Sequence, residues 1–119
     1  AWSIWEASTS KLKNDSSNSY THSFDEDSVA EAFARIECHY FINKGFFKTD
    51  SWILDNVDKI DKIPTYIVQG RYDIVCPMKS AWELQKKLPK SHFYIINNAG
   101  HSMLENEIRD KLIEIKNKL

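Results

Sequence analysis

The sequence predicts an α/β protein: two parallel strands with flanking helices at the trailing edge of a sheet, preceded by helices of different character. Three observations carry this. The apolar run Tyr66, Ile67, Val68 stops at Gly70, Asp73 follows three residues later, and Pro77 then opens a helical pattern. A second run, HFYII from His92, ends in NNAGHS and places His101 just beyond it. From residue 63 onward the order is therefore strand, helix, strand, helix, a βαβ unit whose crossover is expected to be right-handed. Two parallel strands are normally buried within a larger sheet, and two alone are marginal in water. The pair thus reads as the end of a sheet whose earlier strands are absent from these residues. Residues 1–50 read as the helical part of a cap, and 51–119 as the α/β part.

Each element has its own signal. Residues 2 to 12 predict a helix with Trp2, Trp5 and Leu12 on one stripe. The polar stretch KNDSSNSYTHS then reads as a loop or a disordered excursion. Ser28 with Glu31 three residues later is a capping-box signature, and Val29, Phe33, Ile36 and Tyr40 repeat at helical spacing. That helix should end near Asn43 and Gly45. Ser51 caps a short helix through Trp52, Leu54 and Val57. Pro64 begins the first strand, where its missing N–H costs least. Pro77 suits the first turn of a helix bearing Trp82, Leu84 and Leu88, and Pro89 stops it. The last helix carries Ile108, Leu112, Ile115 and Leu119 at intervals of four, three and four.

Composition excludes several classes. The 119 residues are 42% hydrophobic with a formal net charge of −1, so no basic footprint for nucleic acid exists. No apolar run approaches the roughly 20 residues of a membrane-spanning helix, and no signal peptide opens the chain. It starts without Met, already in helical pattern, and so reads as an internal piece of a longer protein. Cys38 and Cys76 lack CxxC spacing and read as free thiols of a reducing, cytoplasmic compartment, with a disulfide between them the alternative.

Asp73 and His101 are the residues with chemistry to offer. An acid and then an imidazole on the tips of consecutive parallel strands form the back half of a nucleophile–His–acid system, in which the acid orients the ring and stabilises the imidazolium. Alone, Asp73 reads equally as a turn or helix cap, since GRYD is favourable turn chemistry, and His101 as a surface-loop residue. The pair in this order is more specific than either residue.

Glu37 has Phe33, Ala34, Tyr40 and Phe41 as its helical neighbours, and a carboxylate in an apolar stripe requires a cation or donor. Capture of a substrate ammonium satisfies that need; so does a pair with Arg35 or a Lys, or escape of the carboxylate to water. Glu6 lies beside Trp2 and Trp5, but Ser3, Thr9 and Ser10 favour solvation. Cys76 sits at the mouth of the site or packs as a small hydrophobe. His22 and His39 lack ligand spacing, so no metal site is expected. His92 should face water.

Four blocks, WSIWEAST, FARIECHYF, VQGRYDIVCP and NAGHS, resemble in order the C-terminal part of the prolyl aminopeptidase (proline iminopeptidase) family, serine peptidases with the α/β-hydrolase fold and a helical cap. The resemblance covers nearly the whole chain and is weakest in the Ser/Asn-rich loop. It implies that Asp73 is the triad acid and His101 the triad base. It implies too that Glu6 and Glu37 bind the imino group of an N-terminal proline. Where the family commonly has Asn, this chain has Cys38, a change that touches local hydrogen bonding and no catalytic role. No Gly-x-Ser-x-Gly elbow and no HGGPG-like oxyanion loop occurs in these residues. The nucleophile is thus expected upstream, and the isolated chain is expected to be inactive. No cofactor is implied. The implied partner is a peptide with N-terminal proline, without nucleic acid or membrane, and the open sheet edge is expected to drive self-association.

Two rivals remain at this level. Another capped α/β-hydrolase, such as an esterase, epoxide hydrolase or dehalogenase, would keep Asp73 and His101 without paired cap glutamates. A non-catalytic helical interaction module would leave the two side chains beyond hydrogen-bond reach.

Overall fold

Helix α1 spans Trp2–Thr9, α2 Asp27–Ile42 and α3 Trp52–Asp55; strand β1 covers Tyr66–Gly70, α4 Met78–Lys87, β2 His92–Ile96 and α5 Asn106–Lys116. These elements are taken from a computed structural model, which describes residues 2–13 and 27–119. Most of the polar stretch KNDSSNSYTHS, with His22, lies outside the described residues. Among the described residues, 2–8 and 27–52 form one compact unit, and 9–13 with 53–119 form a second.

In the second unit β1 and β2 pair in parallel, in the register Tyr66↔His92 through Gly70↔Ile96. α4 makes the crossover, and both α4 and α5 pack on β1. The buried apolar side chains are Leu88, Ala99, Ile108 and Ile115. Ile108 and Ile115 are two helical turns apart on α5 and so share one face. Burying each contributes about 2 kcal/mol. Leu119 falls beyond the end of α5 at Lys116 and is exposed. Trp82 is also exposed, with the Lys86 ammonium 3.6 Å over its ring. Pro77 occupies the N-cap of α4, and the helix stops at Lys87, two residues before Pro89. β1 begins at Tyr66, two residues after the expected start at Pro64.

In the first unit α2 is helical already at Asp27, so Ser28 sits inside the first turn rather than ahead of it. Glu31 accepts from Arg35 Nη1 at 3.2 Å, one turn on. That engages Arg35, one of the cations considered for Glu37. Phe33, Ile36, Tyr40, Phe41 and Ile42 are all exposed along α2. The helix is followed by a left-handed turn, with positive φ at Lys44 (50°), Gly45 (61°) and Phe46 (62°). Only Gly45 adopts this region without steric cost; Phe46 is held there by its N–H bond to Asn43 O (2.8 Å), with its ring against Tyr40 and His39 (each 5.4 Å).

Candidate active site

The site grows from the place where β1 and β2 end side by side. Beyond the last register pair, Arg71 N–H donates to Ile96 O (2.9 Å) and Tyr72 N–H to Ala99 O (3.0 Å). The two strand-end loops are therefore laced together by backbone bonds. Their approach is closer than a side chain permits: a Cβ at Gly70 would lie 1.9 Å from Gly100 O and 2.7 Å from Ala99 O. Gly70 is needed here for space.

Asp73 follows on the β1 side. Its Oδ1 accepts from Val75 N (3.0 Å) and Cys76 N (2.7 Å), a local turn in which the side chain stands in for a backbone carbonyl. That leaves Oδ2 pointing across to the β2 loop. There it accepts from Gln69 Nε2 (3.0 Å) and lies 3.0 Å from His101 Nδ1. The carboxylate is only 5% exposed, and four donors occupy its two oxygens. A carboxylate can only accept, so Nδ1 is the donor in this contact, and in the neutral ring Nε2 then carries the free lone pair. The His101 side chain is 38% exposed. A buried acid thus fixes the tautomer of a solvent-accessible imidazole, the arrangement required of a general base.

Gln69 was not legible as a site residue. Its amide donates to Asp73 Oδ2, to Cys76 O (3.2 Å) and weakly to Gly70 O (3.4 Å). A Gln inside a strand carries no motif; the turn after β1 folds Asp73 and Cys76 back onto it. Cys76 is exposed and free, as is Cys38. The Cys76 thiol is raised above its usual pKa, first by partial burial and second by the Asp73 charge.

The segment after α1 departs from expectation. Leu12 was read as part of the α1 stripe, but the helix stops at Thr9. The backbone groups that would continue it are engaged elsewhere. Ser10 O accepts from His101 N (2.9 Å) and Ser102 N (2.7 Å), and Leu12 N donates to Glu105 Oε2 (3.2 Å). Propensity lost to tertiary hydrogen bonding.

Glu6 and Glu37 belong to the first unit. Both are half-buried, on α1 and α2 respectively. Trp2 Nε1 donates to Glu37 Oε2 at 3.2 Å. Trp2 and Glu6 are one helical turn apart on α1, so they share a face. Glu37 thus has a neutral indole donor beside it, and its apolar helical neighbours supply no cation. His39 packs against the rings of Tyr40 and Phe46. His92 is exposed and stacks on Tyr66 at 4.7 Å. No cluster of three potential metal ligands occurs among the described residues. No helix among them is long and apolar enough to cross a membrane.

A laced pair of strand ends presenting an acid and then a histidine lies at the carboxyl edge of a parallel sheet, and the chain belongs to the family with the alpha/beta hydrolase fold, whose model matches residues 6–108. Within that fold it is similar to a probable proline iminopeptidase of Leptolyngbya boryana, 57% identical over 96% of this chain and 35% of the relative. It is 49% identical to a proline iminopeptidase of Arabidopsis thaliana, over 100% of this chain and 31% of the relative. The proline iminopeptidase of Neisseria gonorrhoeae is 41% identical, over 96% and 34%. The chain spans about a third of the length of the curated relatives it matches.

Proposed function

We propose that this chain supplies the acid and base of a serine exopeptidase that releases N-terminal proline from peptides. The observation that carries the reading is the 3.0 Å contact of His101 Nδ1 with the buried, fully bonded Asp73 carboxylate. It favours an enzyme over a helical interaction module, in which those side chains have no reason to meet. Similarity to three proline iminopeptidases supports the substrate class.

In this reading His101 Nε2 removes the proton of a serine supplied by sequence beyond these residues. The alkoxide attacks the carbonyl of the N-terminal residue, and backbone N–H groups near that serine hold the oxyanion. The imidazolium, stabilised by Asp73, gives its proton to the leaving amine. Water then enters by the same base and frees the acyl group. The first unit acts as the cap. Glu6 and Glu37 bind the charged secondary amine and so admit only a chain end. The 119 residues contain no Gly-x-Ser-x-Gly sequence, and by themselves should not hydrolyse substrate.

The test uses the full-length protein containing this chain. Glu37→Gln should lower kcat/KM for proline-β-naphthylamide by roughly 10- to 100-fold, the scale of one charged hydrogen bond. Hydrolysis of a simple ester lacking the amine should stay near the parent rate. Equal losses on both substrates would overturn the amine-binding role.

A further inference from the structure

We propose that Glu105 is a positioning residue for His101, a role that rests on reading His101 as the general base. Glu105 stands just ahead of α5 and is 7% exposed. Its two carboxylate oxygens serve two different segments. Oε1 accepts from the N–H of Gly100, the residue directly before His101, at 2.6 Å. Oε2 accepts from Leu12 N–H at 3.2 Å, in the segment that leaves α1. That second segment returns the favour to the same loop, because Ser10 O takes the N–H groups of His101 and Ser102.

Three consecutive backbone N–H groups, Gly100, His101 and Ser102, are thereby tied down, one by Glu105 itself and two by the strap that Glu105 holds. The loop could otherwise rotate about Gly100, which has no side chain to hinder it. A rotation there would carry the imidazole away from Asp73. Asp73 fixes the ring from one side; Glu105 fixes the backbone from which the ring hangs.

A carboxylate is the group this geometry requires. Two N–H donors arriving from separate segments are each met by a different oxygen of one rigid fork. Glutamine offers one acceptor, and its NH2 would face the other N–H. Aspartate keeps both oxygens but reaches one methylene less far. Alanine leaves the buried Gly100 N–H, and the Leu12 N–H, without this acceptor.

The experiment compares the full-length parent with Glu105→Gln and Glu105→Asp. It reads kcat and KM on proline-β-naphthylamide, and the low-field proton resonance of His101 Nδ1–H. Glu105→Gln should lower kcat about 10- to 100-fold at unchanged KM, the scale of a sub-ångström to 1 Å misplacement of a reacting group. The Nδ1–H resonance should broaden or vanish, and Glu105→Asp should fall between parent and Gln. A Gln variant that melts earlier but keeps its kcat and its Nδ1–H resonance would overturn the proposal, as would a change confined to KM. If the variants do not fold, amide exchange of the parent decides. The Leu12, Gly100, His101 and Ser102 amides should be protected and open together; rapid, independent exchange would sink the idea. A parent with no action on N-terminal proline but with the resonance intact would count against the substrate reading alone, since the resonance still reports on Glu105.

Discussion

The strand-end loops and helix α2 each present an acid with proposed work to do, and they hold it in opposite ways. Asp73 has four donors on its two oxygens, two from its own backbone turn, one from the strand below and one from the imidazole. Its neighbour His101 hangs from three bonded backbone groups. Glu37, by contrast, is half-buried on a helix whose apolar side chains are largely exposed, with the Trp2 indole as a donor. The difference fits the two tasks. A base must meet a reacting atom within a few tenths of an ångström, so its supports are short and made of backbone. An amine-binding carboxylate needs reach and charge more than exact placement, and its strongest partner arrives with the substrate.

Three substitutions would sharpen or break this contrast. The largest effect is expected at Asp73. Asp73→Asn puts an amide where four donors converge and leaves His101 free to take the wrong tautomer, so kcat in the full-length protein should fall about 10⁴-fold. Steady-state kinetics measure it; a loss of under about tenfold would mean the acid is not orienting the ring.

Gly70→Ala comes next. The added methyl would overlap the Gly100 and Ala99 carbonyls, both backbone atoms with little room to retreat. It should destabilise the fold by about 3 kcal/mol, at the upper end of overpacking costs. A denaturant titration with an unchanged midpoint would show that the two loops have room to part at Gly70. The smallest effect is expected in the first unit. Trp2→Phe keeps the ring and removes the N–H that Glu37 accepts. Because Trp2 is exposed, KM for an N-terminal proline substrate should rise only about 2- to 5-fold, with kcat unchanged. A loss comparable with that of Asp73→Asn would erase the contrast between the regions.

Much of this molecule could be read without coordinates. The run HFYII is β2 residue for residue, and Tyr66 through Gly70 is β1. Apolar runs bounded by Gly or polar turns have few other uses. The partnership of Asp73 and His101 was legible because consecutive parallel strands bring their carboxyl ends to one edge. The α2 pattern was legible too, although its apolar face is exposed among the described residues.

What could not be read has no periodic or motif signal. Leu12 continued a helical stripe, yet its N–H belongs to Glu105, 93 residues away. Gln69 and Glu105 carry no motif, and either would pass for a surface residue. Ser28 announced a helix start that came a residue early, within the usual fraying of helix ends.

The order of residues by itself determined the strands, the crossover helix, and which two side chains arrive at the same edge. Local periodicity and turn chemistry decide those things within a few residues of chain. Only the tertiary structure decided how the edge is held: Gly70 pressed on Gly100, Gln69 beneath the acid, Glu105 joining its own loop at Gly100 to Leu12. No periodicity or turn rule announces those contacts, and a backbone N–H donates to whichever acceptor the fold brings near.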